Sequence, residues 1–107
     1  MTEIKNNPVI IDFDGVTLTA SLSGDIDHAS AFSLREDIDF AIDRHLPQIL
    51  MLDFSAVEFM DSSGIGLIMG RYRKLEPQGG KIVISGSKGT IRKVLIIAGI
   101  EKLAEIL

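Results

Sequence analysis

Ile49-Leu50-Met51-Leu52-Asp53-Phe54-Ser55-Ala56-Val57-Glu58-Phe59-Met60-Asp61-Ser62-Ser63-Gly64-Ile65-Gly66 is the stretch on which the fold turns. Its first part, Ile49 to Phe54, holds a single charged residue, Asp53, among apolar ones. A short apolar run between a helical pattern and a polar segment predicts a strand buried on both faces. Ser55 to Met60 reads as the loop that follows. Asp61 or Ser62 then caps a helix, since either side chain can accept from the orphan N–H groups of the first turn. Ile65, Ile68, Met69, Tyr72 and Leu75 give that helix an apolar stripe at helical spacing. Pro77 and the Gly79-Gly80 pair close it.

Toward the N-terminus, Val9 to Phe13 is mostly apolar and β-branched, and Asp14-Gly15 is a two-residue turn signal. Val16, Leu18, Ala20 and Leu22 alternate with Thr17, Thr19, Ser21 and Ser23, the period of a strand with one buried face. The two runs predict an antiparallel hairpin that ends at Gly24. Gly24-Asp25-Ile26-Asp27 is a short connection, and Asp27 caps a helix whose apolar face carries Ala31, Leu34, Ile38, Ala41, Ile42 and His45. Asp37, Asp39, Asp43 and Arg44 mostly point elsewhere, and Pro47 stops the helix.

Toward the C-terminus, Lys81 to Ser85 predicts another strand. Ser87 opens a last long helix with Ile91, Val94, Leu95 and Ala98 on its apolar face and Gly99 at its end. Ile100 to Leu107 reads as one or two further helical turns. The order strand, strand, helix, strand, helix, strand, helix predicts an α/β fold, with parallel pairs joined by helical crossovers. Residues 1–107 are therefore expected to form one domain, a mixed sheet of four to five strands with helices packed against it.

Composition narrows the function. Apolar residues make up 46% of 107, enough for a core, and the net charge is only −4. The 11 basic residues are scattered, whereas phosphate neutralisation needs them clustered, so direct nucleic-acid binding is not expected. Arg71, Arg73 and Lys74 read as a solvated helix face. The chain has no cysteine, which excludes disulfides, thiolate metal sites and a cysteine nucleophile. His28 and His45 lack metal-ligand spacing. Met1 to Pro8 has no signal-peptide apolar region, and no apolar run reaches the roughly 18 residues needed to span a bilayer. The expected location is the cytoplasm, with no membrane partner.

Asp61-Ser62-Ser63-Gly64-Ile65-Gly66 carries the most chemistry. It lies where a strand ends and a helix begins, and there exposed N–H groups and the positive end of the helix dipole collect. Ligands of open α/β sheets gather at that edge. Two hydroxyls stand beside a carboxylate. Gly64, Gly66 and Gly70 oppose helix formation at about 1 kcal/mol each relative to Ala. Either close packing on the sheet or a partner that needs a bare surface must offset this. Asp25-Ile26-Asp27-His28 belongs on the same rim if its strand and that of Asp53 are parallel neighbours. Ile26 is then either a core plug or a partner contact.

Other chemistries fit less well. Gly64-Ile65-Gly66 with Gly70 misses the dinucleotide fingerprint by one position, and Gly86-Ser87-Lys88-Gly89-Thr90 lacks the order of a phosphate loop. Ser62 has no Gly-x-Ser-x-Gly elbow and no recognisable base, as a hydrolase would need. Asp25, Asp27 and Asp61 suit two helix caps and a solvated loop better than a Mg²⁺ site. No cofactor or metal is expected.

Four segments in order carry a family likeness: Leu22-Ser23-Gly24-Asp25-Ile26-Asp27-His28, Phe59-Met60-Asp61-Ser62-Ser63-Gly64-Ile65-Gly66, Gly70-Arg71-Tyr72-Arg73, and Gly79-Gly80 before a strand. Nearly the whole chain resembles the STAS-domain family of anti-sigma-factor antagonists, most closely its sporulation branch, which frees sigma-F. Position 25 is Asp where that pattern often has Glu. The sporulation proteins usually continue into more helix beyond the point matching Leu107.

The resemblance implies a regulatory binding protein rather than an enzyme. Its unmodified form binds an anti-sigma factor that is also a serine kinase, and so releases the sigma factor. Ser62 corresponds to the serine that accepts phosphate, modification ends binding, and a serine phosphatase restores it. The same match places Asp27 on the partner-binding rim, and the expected rim as a whole is Asp25, Ile26, Asp27, His28, Asp61, Ser63, Gly64, Ile65 and Gly66. A STAS module of a stress-response pathway, or a small-ligand or nucleotide sensor, is the alternative.

Overall fold

A computed structural model describes residues 9–107. Met1 to Pro8, with the polar N-terminus read above, lies outside the described residues. The elements are β1 (Ile10–Phe13), β2 (Thr17–Ile26), α1 (His28–His45), β3 (Ile49–Met60), α2 (Ser62–Leu75), β4 (Lys81–Ser85), α3 (Gly89–Ile97) and β5 (Glu105–Ile106), with short 3₁₀ turns at Glu76–Gln78 and Ile100–Lys102.

The opening antiparallel hairpin forms, but Val16 belongs to its turn rather than to the buried strand face and is exposed. The Asp14 carboxylate accepts from Val16 N–H at 2.9 Å and Thr17 N–H at 2.7 Å, and Gly15 adopts φ 99, a conformation that suits glycine. β1 pairs antiparallel with β2, and β2–β3, β3–β4 and β4–β5 are all parallel. The strand order β1-β2-β3-β4-β5 follows the chain. Successive right-handed crossovers in one direction lay α1, α2 and α3 on the same side of the sheet.

That one-sided layering corrects the reading of Ile49 to Phe54. Leu50, Leu52 and Phe54 are buried, but Ile49, Met51 and Asp53 on the other face are only half-buried. The core lies between sheet and helices, where Leu18, Leu22, Leu52 and Ile84 meet Leu34, Ile38, Ile42, Ile68 and Leu95. Mean burial of about 25 cal/mol per Å² of apolar surface makes this the main stabilising contact of the fold.

The strands that lead to the rim are longer than the sequence suggests. Ser55 to Met60 is not a loop: β3 runs on to Met60, paired with β2 up to Ile26. Gly24 does not end β2. The ladder slips between Ser21 and Ser23 and again between Gly24 and Asp25, and these irregularities break the period of two that would have revealed the strands. At the other end, Ile100 to Leu107 forms a 3₁₀ turn and the edge strand β5 rather than more helix. Gly99, at φ 79, turns the chain out of the helical path. The last helix begins at Gly89, not Ser87, and Ala98 is exposed.

Candidate functional site

The parallel strands β2 and β3 end together, Ile26 opposite Met60, and α1 and α2 start from that rim. α1 begins with a capping box. The Asp27 carboxylate accepts from Ser30 N–H at 3.0 Å, while Asp27 N–H donates to Ser30 Oγ at 2.9 Å. Ser30 Oγ–H in turn donates to the Asp25 carbonyl at 2.9 Å. The Ser30 N–H bond holds the Asp27 carboxyl below its ordinary value of 3.8. α2 begins more simply: Asp61 is the cap, and its carboxylate accepts from Ser63 N–H at 2.7 Å. Asp61 thus takes the capping role that the sequence leaves open between it and Ser62.

This division of labour frees Ser62. It is the first residue of α2, its side chain is exposed, and among the described residues its hydroxyl has no hydrogen-bond partner. Ser63 is half-buried.

The two rim loops are tied directly. Asp61 N–H donates to the Ile26 carbonyl at 3.1 Å. Asp25, Asp27 and His28 are therefore brought beside Asp61 and Ser62, all three with exposed side chains. Two members of the expected rim are corrected. Ile26 is 0% exposed, so it is the core plug and not a surface contact. Gly64 is buried too, and an added Cβ would lie 2.2 Å from Met60 Sδ. Its missing side chain serves packing between the end of β3 and α2. Gly66 is different: it is exposed, and an added Cβ would meet nothing within 4 Å. Ile65 is half-buried against the core.

Two features of the site escape a reading by residue pattern. Phe59 is 53% exposed on the last turn of strand beside Asp61, paired in register with Asp25. An exposed aromatic on rigid backbone is the kind of group that anchors interfaces. Its signal was an apolar residue in what looked like a loop. The second is Arg71, which is 5% exposed and not part of a solvated face. Its Nε lies 2.8 Å from Asp39 Oδ1 as an ion contact, and its terminal nitrogens donate to Asp39 Oδ2 and the Leu67 carbonyl at 3.3 Å each. Burial pushes the guanidinium below its ordinary value, and Asp39 opposes that shift. The pair joins α1 to α2 behind the rim. The buried set of α2 is accordingly Gly64, Leu67, Ile68, Arg71 and Leu75, with Ile65, Met69 and Tyr72 at its margin.

Among the described residues no helix is long and apolar enough to cross a membrane, and no group of His, Asp or Glu side chains is arranged to hold a metal ion.

The STAS domain family model matches residues 7–106. The chain belongs to the STAS-domain family. Within it, an anti-sigma F factor antagonist from Paenibacillus polymyxa is 33% identical over 89 residues, covering 83% of this chain and 76% of that protein. The anti-sigma factor antagonist SpoIIAA in its unphosphorylated form superposes with a TM-score of 0.81 at 29% identity, over 94% of this chain and 88% of that one. The phosphorylated form of the Bacillus cell fate determinant SpoIIAA superposes with a TM-score of 0.74 at 29% identity, over 94% and 91%. The chain is thus one of the SpoIIAA-like anti-sigma factor antagonists.

Proposed function

We propose that this protein works as a partner switch. Unmodified, it docks through its rim on an anti-sigma factor that is also a serine kinase, and the sigma factor is released. The kinase then transfers the γ-phosphoryl group of ATP to Ser62. The Ser62 oxygen forms the new P–O bond, the bond to ADP breaks, and the hydroxyl proton passes to a base of the kinase. A serine phosphatase returns the chain to its binding form. The observation that carries this reading is the exposed, unclaimed hydroxyl of Ser62 beside the capping carboxylate of Asp61.

Phosphorylation adds about −1.5 to −2 charge at neutral pH. At the start of α2 the helix N–H groups tolerate that charge, while Asp61, and Asp27 across the rim, repel it. The fold need not move. An unmatched charge inside a tight interface costs about 2–5 kcal/mol, or about 30- to several-thousand-fold in affinity. The likeness of this chain to both the unphosphorylated and the phosphorylated SpoIIAA supports a local effect.

Kinase treatment followed by mass spectrometry tests the site, and phosphate found on Ser63 or elsewhere would refute it. Ser62→Ala is expected to keep binding and accept no phosphate. Ser62→Asp is expected to lose about 30-fold or more in affinity by calorimetry.

A further inference from the structure

Behind the rim, α1 and α2 enclose a groove of about 370 Å³. Its walls include Phe32 and Arg35 from α1 and Gly66, Gly70 and Arg73 from α2, and Ser63 lines its rim end. Phe32 is 56% exposed, an apolar surface that the described residues leave largely open. The Arg35 guanidinium sits over its ring, 4.9 Å from the centroid, a cation–π contact that orders a long side chain before any partner arrives. Arg71 forms part of the wall, but its charge is matched by Asp39. Arg35 and Arg73 are exposed, and no acidic residue lines the groove among the described residues.

A cationic groove on a chain whose net charge is −4 is a local reversal of sign. Gly66 and Gly70 sharpen the point. They stand four residues apart on the stripe of α2 that starts at Ser62, and an added Cβ at either would meet nothing within 4 Å. Internal packing does not require them. A glycine costs about 1 kcal/mol within a helix, and what the two provide is a floor onto which another backbone can settle closely.

We propose that this groove is a second docking element, and that it receives an acidic, partly apolar segment of the anti-sigma factor. Carboxylates of that segment pair with Arg35 and Arg73, and an apolar side chain covers Phe32. The inference rests on the proposed function for the identity of the partner. Its physical basis is charge complementarity and continuity with the rim through Ser63 and Gly66. Phosphate at Ser62 then acts at one end of an interface whose other end is insensitive to it.

The test has two arms. In the first, the ¹⁵N-labelled protein is titrated with a synthetic amphipathic peptide carrying Glu on one face and Leu on the other. The amides of Phe32, Arg35, Gly66 and Gly70 are expected to shift. Salt at about 0.3 M should weaken binding, because exposed charges are screened beyond the Debye length and that length shortens as salt rises, and a Lys/Leu peptide of the same length should not bind. Shifts that are absent, or scattered over the surface, overturn the proposal. In the second arm, an anti-sigma kinase that phosphorylates Ser62 is titrated with variants. Arg35→Glu/Arg73→Glu should bind about ten-fold or more weakly, with a shallower salt dependence. Gly70→Leu, which fills the groove without touching the core, should also bind weakly while melting no lower than the parent. Unchanged affinity in both variants overturns the groove. A parent protein that takes phosphate from no anti-sigma kinase overturns the partner-switch reading instead, and the peptide arm still decides the groove.

Discussion

At the start of α1, Ser30 accepts from Asp27 N–H and donates to the Asp25 carbonyl, each at 2.9 Å. At the start of α2, Ser62 does neither. Both helices leave the same rim, both follow a strand, and both are capped by aspartate. The difference is one of placement. Ser30 stands three residues after its cap, where its hydroxyl can reach back to the cap's own N–H. Ser62 follows its cap directly, and its exposed hydroxyl makes no such bond. One serine is used up in holding a helix start, and the other is left available for chemistry. The same residue type at the same sheet edge is therefore structural or reactive according to its offset from the capping aspartate.

That contrast breaks most visibly at Gly64, which stands three residues after the cap of α2 where Ser30 stands in α1. Gly64→Val would drive a branched side chain into Met60 Sδ and Cγ, which would lie 2.2 and 2.3 Å from an added Cβ. Overpacking of this kind typically costs about 1–3 kcal/mol. A lowered urea midpoint at unchanged slope would show it, and an unchanged midpoint would mean that Met60 yields freely. Ser30→Ala is expected to cost about 1 kcal/mol, as loss of a cap partner usually does. Ser62→Ala should leave stability within about 0.5 kcal/mol, as for a surface change. Comparable losses for the two serines would erase the distinction.

The smallest effect is on pH dependence. The Asp27 carboxyl is held below 3.8 in the folded chain, so the folded state binds its proton less readily than the unfolded state. Its contribution is fully present above the ordinary carboxylate range and fades as pH falls through the lowered value. Asp27→Asn should therefore flatten the acid limb of the stability curve below about pH 4. Thermal melts across that range measure it, and an unaltered limb would mean that the Ser30 bond adds nothing.

Much of the layout could be read from residue pattern alone. The alternation of buried Leu18, Ala20 and Leu22 with Thr17, Thr19, Ser21 and Ser23 and the helical spacing of Leu34, Ile38, Ala41 and Ile42 survive, because each is a local period that burial then enforces, whereas Val16 falls in the turn and is exposed. The ends of β2 and β3 were hidden for a physical reason: register shifts within the ladder break the period of two. Burial of Ile26 was invisible for the same reason, since which way it points depends on that register. Gly64 and Gly66 look alike in sequence, and only Met60 at 2.2 Å from one and nothing within 4 Å of the other separates them. Arg71 shows the limit of charge patterning. A run of cations reads as solvated unless a distant carboxylate, here Asp39, is known to face it.

The bond from Asp61 N–H to the Ile26 carbonyl is made entirely by main-chain atoms. Any amino acid except proline at position 61 brings the same donor, and every amino acid at position 26 brings the same acceptor. Side chains on either loop can drift over evolutionary time, altering which protein is recognised, while the spacing between the loops stays as it is. Affinity can thus be retuned without first redesigning the platform that bears it.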